Sequence, residues 1–302
     1  MSKLRWHALV LLCTAALCGQ GGALADQTPT LMTTVMSGDT GAVREWVAEQ
    51  GDQTVKGDTG RRALLHAAAV GDVPMVKTLL EFGADPNARG KDKIARTALI
   101  LTAAGGHSEV VKTLVAKGVE LEARDSSGKT ALNWAVMRKR TDMVELLLDK
   151  GADINSRDNG GVSPLLFAVG RRDTATMRLL VRRGADLEVE SKQNKMTPLL
   201  LAIETGQRDS VAYLLDKGAQ VNGKNGDGLT PLMSASEKGD SKLVKLLLEH
   251  GADPGAEDNR GRTAATRAEQ QGQQAIVEML ARSLSLSVPP KQIQVTLPSS
   301  FF

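Results

Sequence analysis

Three oxygen-bearing side chains stand close together in this sequence, in a spacing that suggests a calcium loop. They are Asp153, Asn155 and Asp158, and two glycines follow them. Calcium loops alternate oxygen ligands and end with a bidentate glutamate at the twelfth place. Counted from Asp153, the fifth residue is Arg157 and the twelfth is Pro164. The pattern therefore predicts no calcium site, and the segment needs another explanation.

Other stretches imitate catalytic motifs just as incompletely. The run DSSGKT at 125–130 resembles the end of a phosphate-binding loop, but Ala123 stands in the place of the first glycine. The run GVSPL at 161–165 has leucine where a nucleophile elbow has its second glycine. Three histidines beyond residue 25 are not paired at metal-ligand spacing: His66, His107 and His250. These observations predict no catalytic residue, no metal and no cofactor.

The segment around Asp153 recurs along the chain, which changes its interpretation. A Gly-Ala-Asp triplet or a close variant begins at Gly83, Gly118, Gly151, Gly184, Gly218 and Gly251, at intervals of 35, 33, 33, 34 and 33 residues. A second motif, Thr or Ser followed by Pro or Ala and usually Leu, runs in phase with it from Thr97 to Thr263. Such a period indicates a repeat architecture. We count about eight units between residues 29 and 282, with atypical first and last units.

Helix chemistry explains each unit. A Thr or Ser hydroxyl caps the free N–H groups of a first helix, such as the one predicted from Leu132 to Met137, and Pro is tolerated in its first turn. Apolar residues at helical spacing indicate a second helix, for example Met143, Val144, Leu147 and Leu148. The glycine of Gly-Ala-Asp then ends that helix in the left-handed conformation. The acidic stretch is therefore a helix end and the start of a polar loop.

Two runs carry the pattern most completely: TPLLLAIETGQRDSVAYLLDKGAQVN at 197–222 and TPLMSASEKGDSKLVKLLLEHGADP at 230–254. They resemble ankyrin repeats, and the resemblance covers nearly all of the chain after the first thirty residues. It implies an all-α solenoid of helix-turn-helix units with hairpin-like loops, whose neighbours stack into one continuous core. It also implies binding to another protein through the concave surface, which the loop tips and the first helices form.

The first helices of units 4 and 5 carry the residues that we predict to bind a partner. The fifth, eighth and ninth positions of a first helix share one face. With the tenth position added, the predicted contact residues are Trp134, Met137, Arg138, Lys139, Phe167, Arg171 and Arg172. The aromatic residues would be apolar anchors, and the cations would attract an acidic surface. Two alternatives stay open: the aromatic side chains belong to the core, and the cations reflect neutral drift.

The tenth position of the first-helix motif strengthens the binding hypothesis. It is glycine in six of the eight units, but it is Lys139 in unit 4 and Arg172 in unit 5. If this position is left-handed, a side chain there costs about 1 kcal/mol or more. Two adjacent basic units accept that cost, and two explanations stay open: neutral drift in a stable solenoid, and selection of a basic patch for an acidic partner.

The first 25 residues have the parts of a secretory signal peptide. A basic start precedes an apolar run from Trp6 to Cys18, and Ala23-Leu24-Ala25 is a small-residue cleavage pattern. The apolar run is too short for a transmembrane helix. Leu17 disfavours a lipid anchor on Cys18, because such an anchor wants a small residue at that place. A buried N-terminal helix is the alternative.

Export determines the composition of the mature chain. Cleavage after Ala25 would remove both cysteines, which suits an oxidising compartment, and no Asn-x-Ser/Thr sequon is present. These features favour a bacterial periplasm. The formal charge of +3 falls to +1 without Lys3 and Arg5, and aromatic residues make up 3% of the chain. Nucleic acid is therefore not an expected partner.

We predict three segments: a signal peptide at 1–25, a repeat array at 26–282 and a C-terminal tail at 283–302. In the tail, Leu284, Leu286 and Val288 alternate with serine, a strand-like period of two. We expect this tail to be flexible; the alternative is an extended segment that docks on the last repeats or on a partner.

The predicted function is a monomeric, non-enzymatic scaffold that binds another protein in the periplasm. The resemblance implies two settings. Periplasmic ankyrin-repeat proteins of Gram-negative bacteria include some that support an exported catalase or oxidative-stress defence, and others resemble immunity partners of secreted antibacterial lipases. An enzyme or a ligand-binding subunit is the competing class, and it would need a closed pocket that an open solenoid seldom provides.

Overall fold

Short paired helices form a row along residues 30–287, which are the residues that this computed structural model describes. The first half contains α1 (Leu31–Ser37), α2 (Thr40–Gln50), α3 (Gln53–Lys56), α4 (Asp58–Val70), α5 (Val73–Glu81), α6 (Ala98–Gly105), α7 (Ser108–Ala116), α8 (Ala131–Met137) and α9 (Thr141–Asp149). The second half contains α10 (Pro164–Gly170), α11 (Thr174–Arg182), α12 (Pro198–Glu204), α13 (Arg208–Asp216), α14 (Pro231–Glu237), α15 (Ser241–Glu249), α16 (Ala264–Gln270) and α17 (Gln274–Ser287). Over this range the regular elements are all helices, which confirms the all-α prediction.

Eight helix pairs follow one another, as the repeats predict. They are α1 with α2, α4 with α5, and then each successive pair up to α16 with α17; we number them units 1 to 8. The two helices of a pair pack together, and the first helix of each unit packs on the first helix of the next. The predicted signal peptide lies outside the described residues.

The helix ends have the predicted chemistry. In units 3 to 8 a hydroxyl at the start of the first helix accepts a hydrogen bond from the N–H three residues later; the capping residues are Thr97, Thr130, Ser163, Thr197, Thr230 and Thr263. After each second helix from unit 2 to unit 7, the glycine of the Gly-Ala-Asp motif has a positive φ, from 76° at Gly118 to 91° at Gly151. Local sequence therefore sets where most helices begin and end.

One apolar core runs through the array. The leucine two residues after the capping hydroxyl is at most 1% exposed in units 3 to 7: Leu99, Leu132, Leu165, Leu199 and Leu232. Truncating such a leucine to alanine typically costs about 2–5 kcal/mol. Stacked units thus share their stabilisation with their neighbours.

The N-terminal units differ from the expectation in one respect. The sequence places the start of the unit 2 motif at Arg62, but α4 begins four residues earlier, at Asp58. No hydroxyl caps this helix. The extra turn packs on the short helix α3, and Gly60 permits this because a Cβ there would lie 1.7 Å from the carbonyl oxygen of Val55. The close packing of α3 replaces the usual loop before the first helix.

The strand-like prediction for the start of the tail is wrong. Leu284 and Leu286 lie in α17, which continues to Ser287. Leu284 extends the four-residue spacing of the buried side chains Ile276 and Leu280, so the helical period prevails over the alternation with serine. The hydroxyl of Ser283 bonds the carbonyl oxygen of Leu280 at 2.7 Å, within the helix. Residues 288–302 lie outside the described range.

Candidate functional site

The loop residues that imitate a calcium site connect neighbouring units instead. Oδ1 of Asp153 accepts a hydrogen bond from the N–H of Asn155 at 2.9 Å, and Oδ1 of Asn155 accepts one from the N–H of Asp186 in the next unit, also at 2.9 Å. The same kind of hydrogen bond, from a backbone N–H of the next unit to a loop side-chain oxygen, recurs at four other unit boundaries. The accepting residues are Asn87, Glu122, Glu188 and Asn222. In the part of the chain that the structure describes, no group of three or more His, Cys, Asp or Glu residues is arranged to hold a metal.

Trp134 lies between the first helix of unit 4 and the loop that precedes it. The side chain is half-buried and packs against the core. Its indole Nε1 donates a hydrogen bond of 2.8 Å to Oδ2 of Asp125. The guanidinium carbons of Arg96 and Arg138 lie 5.5 and 5.7 Å from the centre of a Trp134 ring. The indole therefore has a packing role and supports Arg138, whereas its contact with a partner stays a prediction.

Phe167 takes the equivalent place in unit 5 and is also half-buried against the core. The ammonium nitrogen of Lys129 lies 5.8 Å from the centre of its ring. The same nitrogen lies 3.1 Å from Oδ2 of Asp158. Because phenylalanine cannot donate a hydrogen bond, Lys129 from the previous loop supplies the cation that this carboxylate binds.

Four exposed cations lie next to these rings: Arg138, Lys139, Arg171 and Arg172. We call them the basic patch; the half-buried Met137 lies beside them in sequence. Arg172 donates from Nη2 to the carbonyl oxygen of Thr205 in unit 6. Over residues 30–287, none of the four forms an ion pair with a carboxylate. The structure thus places all seven predicted site residues on or directly after two adjacent first helices.

The nearest loop carboxylates bind donors within their own loops. Oδ1 of Asp125 accepts from the N–H groups of Ser127 and Lys129 at 2.8 and 2.9 Å. Asp158 does the same with the N–H groups of Gly160 and Val162, both at 2.9 Å. These bonds fix the loop tips. They also leave the basic patch without an acidic partner from these loops.

The tenth position of the first-helix motif is left-handed in all eight units. The six glycines there have φ between 68° and 86°: Gly38, Gly71, Gly106, Gly206, Gly239 and Gly272. Lys139 and Arg172 have φ of 54° and 53°. This confirms that Lys139 and Arg172 occupy a left-handed position.

A neighbouring side chain gives a second reason for glycine at this position. A Cβ on Gly71 would lie 2.4 Å from Nδ1 of His107, the eleventh residue of the next unit. Asp173 is the eleventh residue of unit 5, the position that His107 has in unit 3. Asp173 is therefore related to Lys139 of unit 4 as His107 is related to Gly71 of unit 2. Its short side chain caps α11 by accepting from the N–H of Thr176 at 3.2 Å. Unit 5 therefore lacks the long side chain that would crowd a residue other than glycine in unit 4.

Glu204, Glu237 and Arg267, on the first helices of units 6 to 8, are paired within the chain. Glu204 accepts a hydrogen bond of 2.6 Å from the hydroxyl of Ser234 and lies 3.1 Å from the ammonium of Lys238. Arg267 bonds both Glu237, at 2.5 Å, and Asp258, at 2.6 Å. The four cations of the basic patch lack such carboxylate partners.

Arg267 holds in unit 8 the place that Trp134 holds in unit 4, and it bonds the equivalent loop carboxylate. The carboxyl of Asp258 is buried, and Oδ1 accepts from the N–H groups of Arg260 and Arg262 at 2.8 and 2.9 Å. Burial alone would raise the pKa of Asp258. The backbone hydrogen bonds and the guanidinium groups of Arg267 and Arg262 outweigh burial and hold that pKa well below its usual range.

Sequence reasoning missed the loop carboxylates as members of the site, although the signal is present. Asp125, Asp158 and Asp258 each precede a capping Thr or Ser by five residues. Their phase matches that of the helix caps, so they belong to the repeat pattern. What the sequence does not show is which donor each carboxylate binds.

The histidines have structural surroundings. Nε2 of His107 lies 3.1 Å from the carbonyl oxygen of Ala69, and Nδ1 of His250 lies 2.9 Å from that of Leu246. Burial lowers the pKa of His66. No helix within residues 30–287 combines the length and hydrophobicity that a membrane span requires.

Sequence models of protein families match most of the array. A model of ankyrin repeats matches residues 87–158, 156–225 and 221–289, and a model of a single ankyrin repeat matches residues 60–91. The chain belongs to the ankyrin-repeat family. Ankyrin repeats bind other proteins and are typically non-enzymatic interaction modules, which confirms the coarse functional prediction.

Three curated relatives match short segments of this chain. Glycerophosphocholine phosphodiesterase gde1 of Schizosaccharomyces pombe is 38% identical over 111 residues, which are 36% of this chain and 10% of that protein. The potassium channel KOR2 of Oryza sativa subsp. japonica is 40% identical over 63 residues, 21% of this chain and 8% of that protein. Ankyrin repeat domain-containing protein 63 of Mus musculus is 38% identical over 84 residues, 26% of this chain and 21% of that protein. This chain spans at most about a fifth of each.

A solved structure shares the ankyrin architecture over a longer range. The ankyrin repeat domain of Bcl-3, a member of the IkappaB protein family, aligns with a TM-score of 0.66 and 28% identity. The alignment covers 72% of this chain and 97% of that domain. One relative is named a phosphodiesterase, but its similarity is limited to a tenth of its length.

Proposed function

We propose that this protein is a non-enzymatic scaffold that binds an acidic surface of another protein through the basic patch of units 4 and 5. The observation that carries the proposal is the conformation of Lys139 and Arg172. Both are cations at a left-handed position that is glycine in the other six units. A left-handed residue other than glycine costs about 1–2 kcal/mol. Its presence in two adjacent units favours a function for the side chains.

The surroundings of the basic patch support the same conclusion. Within residues 30–287 its four cations have no carboxylate partner, whereas Glu204, Glu237 and Arg267 on the first helices of units 6 to 8 are paired. Exposed cations without partners raise the local positive potential and attract acidic surfaces from solution. Trp134 lies under Arg138 and restricts its motion, so this guanidinium is partly ordered before binding.

The setting that we propose is the bacterial periplasm, with support of an exported catalase or of oxidative-stress defence as the role. The basic start, the apolar run and the Ala-Leu-Ala motif of residues 1–25 support export. The resemblance to periplasmic ankyrin-repeat proteins supports the role. Neutralisation of a secreted antibacterial lipase is the alternative, and neighbouring genes distinguish the two: a catalase gene favours the first role and a toxin gene the second.

The test is affinity purification from periplasmic extract, followed by kinetic measurement with the partner that is recovered. Replacing Arg138 and Arg171 by Glu should slow association at least tenfold at low salt and reduce its dependence on salt, because exposed charges mainly set the association rate. The matched control replaces Lys77 and Lys242 by Glu. These exposed lysines lie on the second helices α5 and α15.

Each outcome of this test is decisive. Slower association of the variant with Glu at Arg138 and Arg171, together with unchanged association of the lysine control, supports the proposal. If both variants bind as the natural protein does, the basic patch has no role in binding and the cations reflect drift. If a purified partner is chemically altered by this protein in the absence of any other enzyme, the non-enzymatic assignment fails.

A further inference from the structure

We propose that the binding surface continues from the basic patch to an apolar patch on units 1 and 2, and that it fits an extended protein segment with an apolar side chain at one end and carboxylates at the other. The inference rests on the proposed function and specifies the partner of that same site. We define the apolar patch as Met36 and Val70.

The apolar patch consists of two side chains that the fold leaves in solvent. Met36 is 51% exposed and Val70 is 45% exposed. They lie at the C-terminal ends of α1 and α4, and these helices pack against each other. Among the residues described, Leu284 at the opposite end of the array is the third large hydrophobic residue with comparable exposure. Because they lie on adjacent first helices, these two side chains are available for contact with an apolar group of a partner.

The apolar patch and the basic patch occupy the same face of successive first helices. Val70 directly precedes the left-handed residue of unit 2, as Arg138 and Arg171 do in units 4 and 5. In unit 3 that place is Gly105, and the preceding residue, Ala104, is buried. Unit 3 therefore separates the apolar end from the basic end with Gly105 and the His107 ring, which would lie 2.6 Å from a Cβ on that glycine.

Charge decides where the surface ends. The ninth position is apolar in unit 2, glycine in unit 3 and cationic in units 4 and 5. In unit 6 it is the neutral Thr205, and the neighbouring Glu204 is paired with Lys238. A partner that follows this order would place its apolar side chain over unit 2 and its carboxylates over units 4 and 5, and would gain no free charge beyond unit 5.

Helix packing sets the spacing within the partner. Axes of packed helices lie about 8–10 Å apart. Arg138 is two units from Val70, and Arg171 is three units from it, so the two ends of the surface are separated by about 20–30 Å. An extended chain rises about 3.3 Å per residue and would cover this distance with roughly six to nine residues.

Synthetic peptides test the inference without knowledge of the natural partner. The two-part peptide has a Leu-Phe pair, a spacer of six Gly and Ser residues and four Glu residues; it is made in both sequence directions. The acid-only peptide replaces the Leu-Phe pair by Ser-Ser, and the neutral peptide replaces Glu by Gln. Binding of fluorescein-labelled peptides is measured by anisotropy at low salt. We expect the better two-part peptide to bind about tenfold more tightly than the acid-only peptide, as burial of one or two apolar side chains predicts.

The protein variants separate the two ends. Met36→Ser with Val70→Ser should remove the tenfold gain and leave the affinity for the acid-only peptide unchanged. Because both side chains are exposed, this variant should keep the helical circular dichroism and the melting temperature of the natural protein. Leu284→Ser is the matched control, since it removes an exposed hydrophobic residue far from the groove and should preserve the gain.

Two results would overturn the inference, and two others would overturn the proposed function on which it rests. If neither two-part peptide binds more tightly than the acid-only peptide, or if the Met36 and Val70 variant keeps the gain, the apolar patch is not part of the surface. If the acid-only peptide binds no better than the neutral peptide, or if Arg138→Glu with Arg171→Glu leaves its affinity unchanged, the proposed function fails as well.

Discussion

Nε1 of Trp134 and Oδ2 of Asp125 are joined by a hydrogen bond of 2.8 Å that connects a first helix to the loop preceding it. Asp125 is 5% exposed, so its carboxylate has little access to solvent when this bond is absent. The bond therefore couples the orientation of the indole, and with it the support of Arg138, to the conformation of the loop tip.

We expect Trp134→Phe to destabilise the protein by about 1–3 kcal/mol, because Oδ2 of Asp125 would lose its donor. Asp125→Asn should cost a similar amount, since its amide N–H would face the indole N–H. The double variant should be less destabilised than the sum of the two, with a coupling of about 1 kcal/mol or more. Urea denaturation measures all four proteins. Strict additivity would show that the bond contributes nothing to stability.

Lys139→Gly should stabilise the protein by about 0.5–1 kcal/mol. Arg172→Gly should stabilise it less, because it also removes the hydrogen bond to the carbonyl oxygen of Thr205. Glycine relieves the left-handed strain of about 1–2 kcal/mol, while the larger freedom of glycine in the unfolded chain offsets part of the gain. Both variants should bind the acid-only peptide more weakly than the natural protein does. Lys139→Ala is the control, because it removes the charge and keeps the strain. A gain in stability from Lys139→Ala as large as that from Lys139→Gly would contradict the explanation by strain.

Two glycines with the same left-handed conformation should respond differently to alanine. Gly272 has no atom within 4 Å of a Cβ, so Gly272→Ala should cost only the backbone strain, about 1 kcal/mol. Gly71→Ala should cost at least 1 kcal/mol more, because the new Cβ would meet the ring of His107 at 2.4 Å. Thermal melting compares the two. Equal losses would mean that the His107 ring moves aside without penalty.

The buried carboxylate of Asp258 makes stability depend on pH. Burial would raise its pKa, but hydrogen bonds from backbone N–H groups and from Arg267 lower it below the value in the unfolded chain. A depressed folded-state pKa stabilises the protein above about pH 4, and that stabilisation is lost as the pH falls through the folded-state value. Asp258→Asn should therefore cost on the order of 2 kcal/mol at pH 7. The difference in melting temperature should shrink between pH 4 and pH 2. A difference that does not change with pH would contradict this assignment.

Export predicts a specific N terminus. Expressed in a Gram-negative host, the protein should be recovered from the periplasm with Asp26 as its first residue, because cleavage follows Ala25. Mass spectrometry of the intact protein measures this directly. Recovery of a periplasmic form that retains Lys3 would rule out processing. Replacing Ala25 by Arg is the control, and it should leave the precursor uncleaved.

Most of the fold could be predicted because its determinants are local. A hydroxyl three residues before a free N–H and a glycine after an apolar helix act within a few residues, and each repeats in phase. The exceptions involve contacts between segments. Gly60 reveals the early start of α4 only once it lies against Val55, and Leu284 continues a helix whose buried face is set by Ile276 and Leu280.

The candidate site was predictable to a smaller degree. Position within the repeat brings Arg138 and Arg171 to one face and identifies Lys139 and Arg172 as exceptions. The surroundings of Trp134 and Phe167 could not be predicted. The loop carboxylate binds the indole N–H of Trp134 in unit 4 and the ammonium of Lys129 in unit 5, and this choice depends on which side chain reaches the carboxylate from a neighbouring segment.

The location of Lys139 and Arg172 has a consequence for local unfolding. Units 2 to 7 are joined in series by loop hydrogen bonds such as that from the N–H of Asp186 to Oδ1 of Asn155, so an array of this kind opens from its ends inward. Units 4 and 5 lie in the middle and are the last to fray. Strain of this size in a terminal unit would detach that unit for part of the time. In the middle of the array the strain leaves the cations ordered. Amide exchange should therefore be slowest beside Lys139 and Arg172, although these two residues carry the backbone strain.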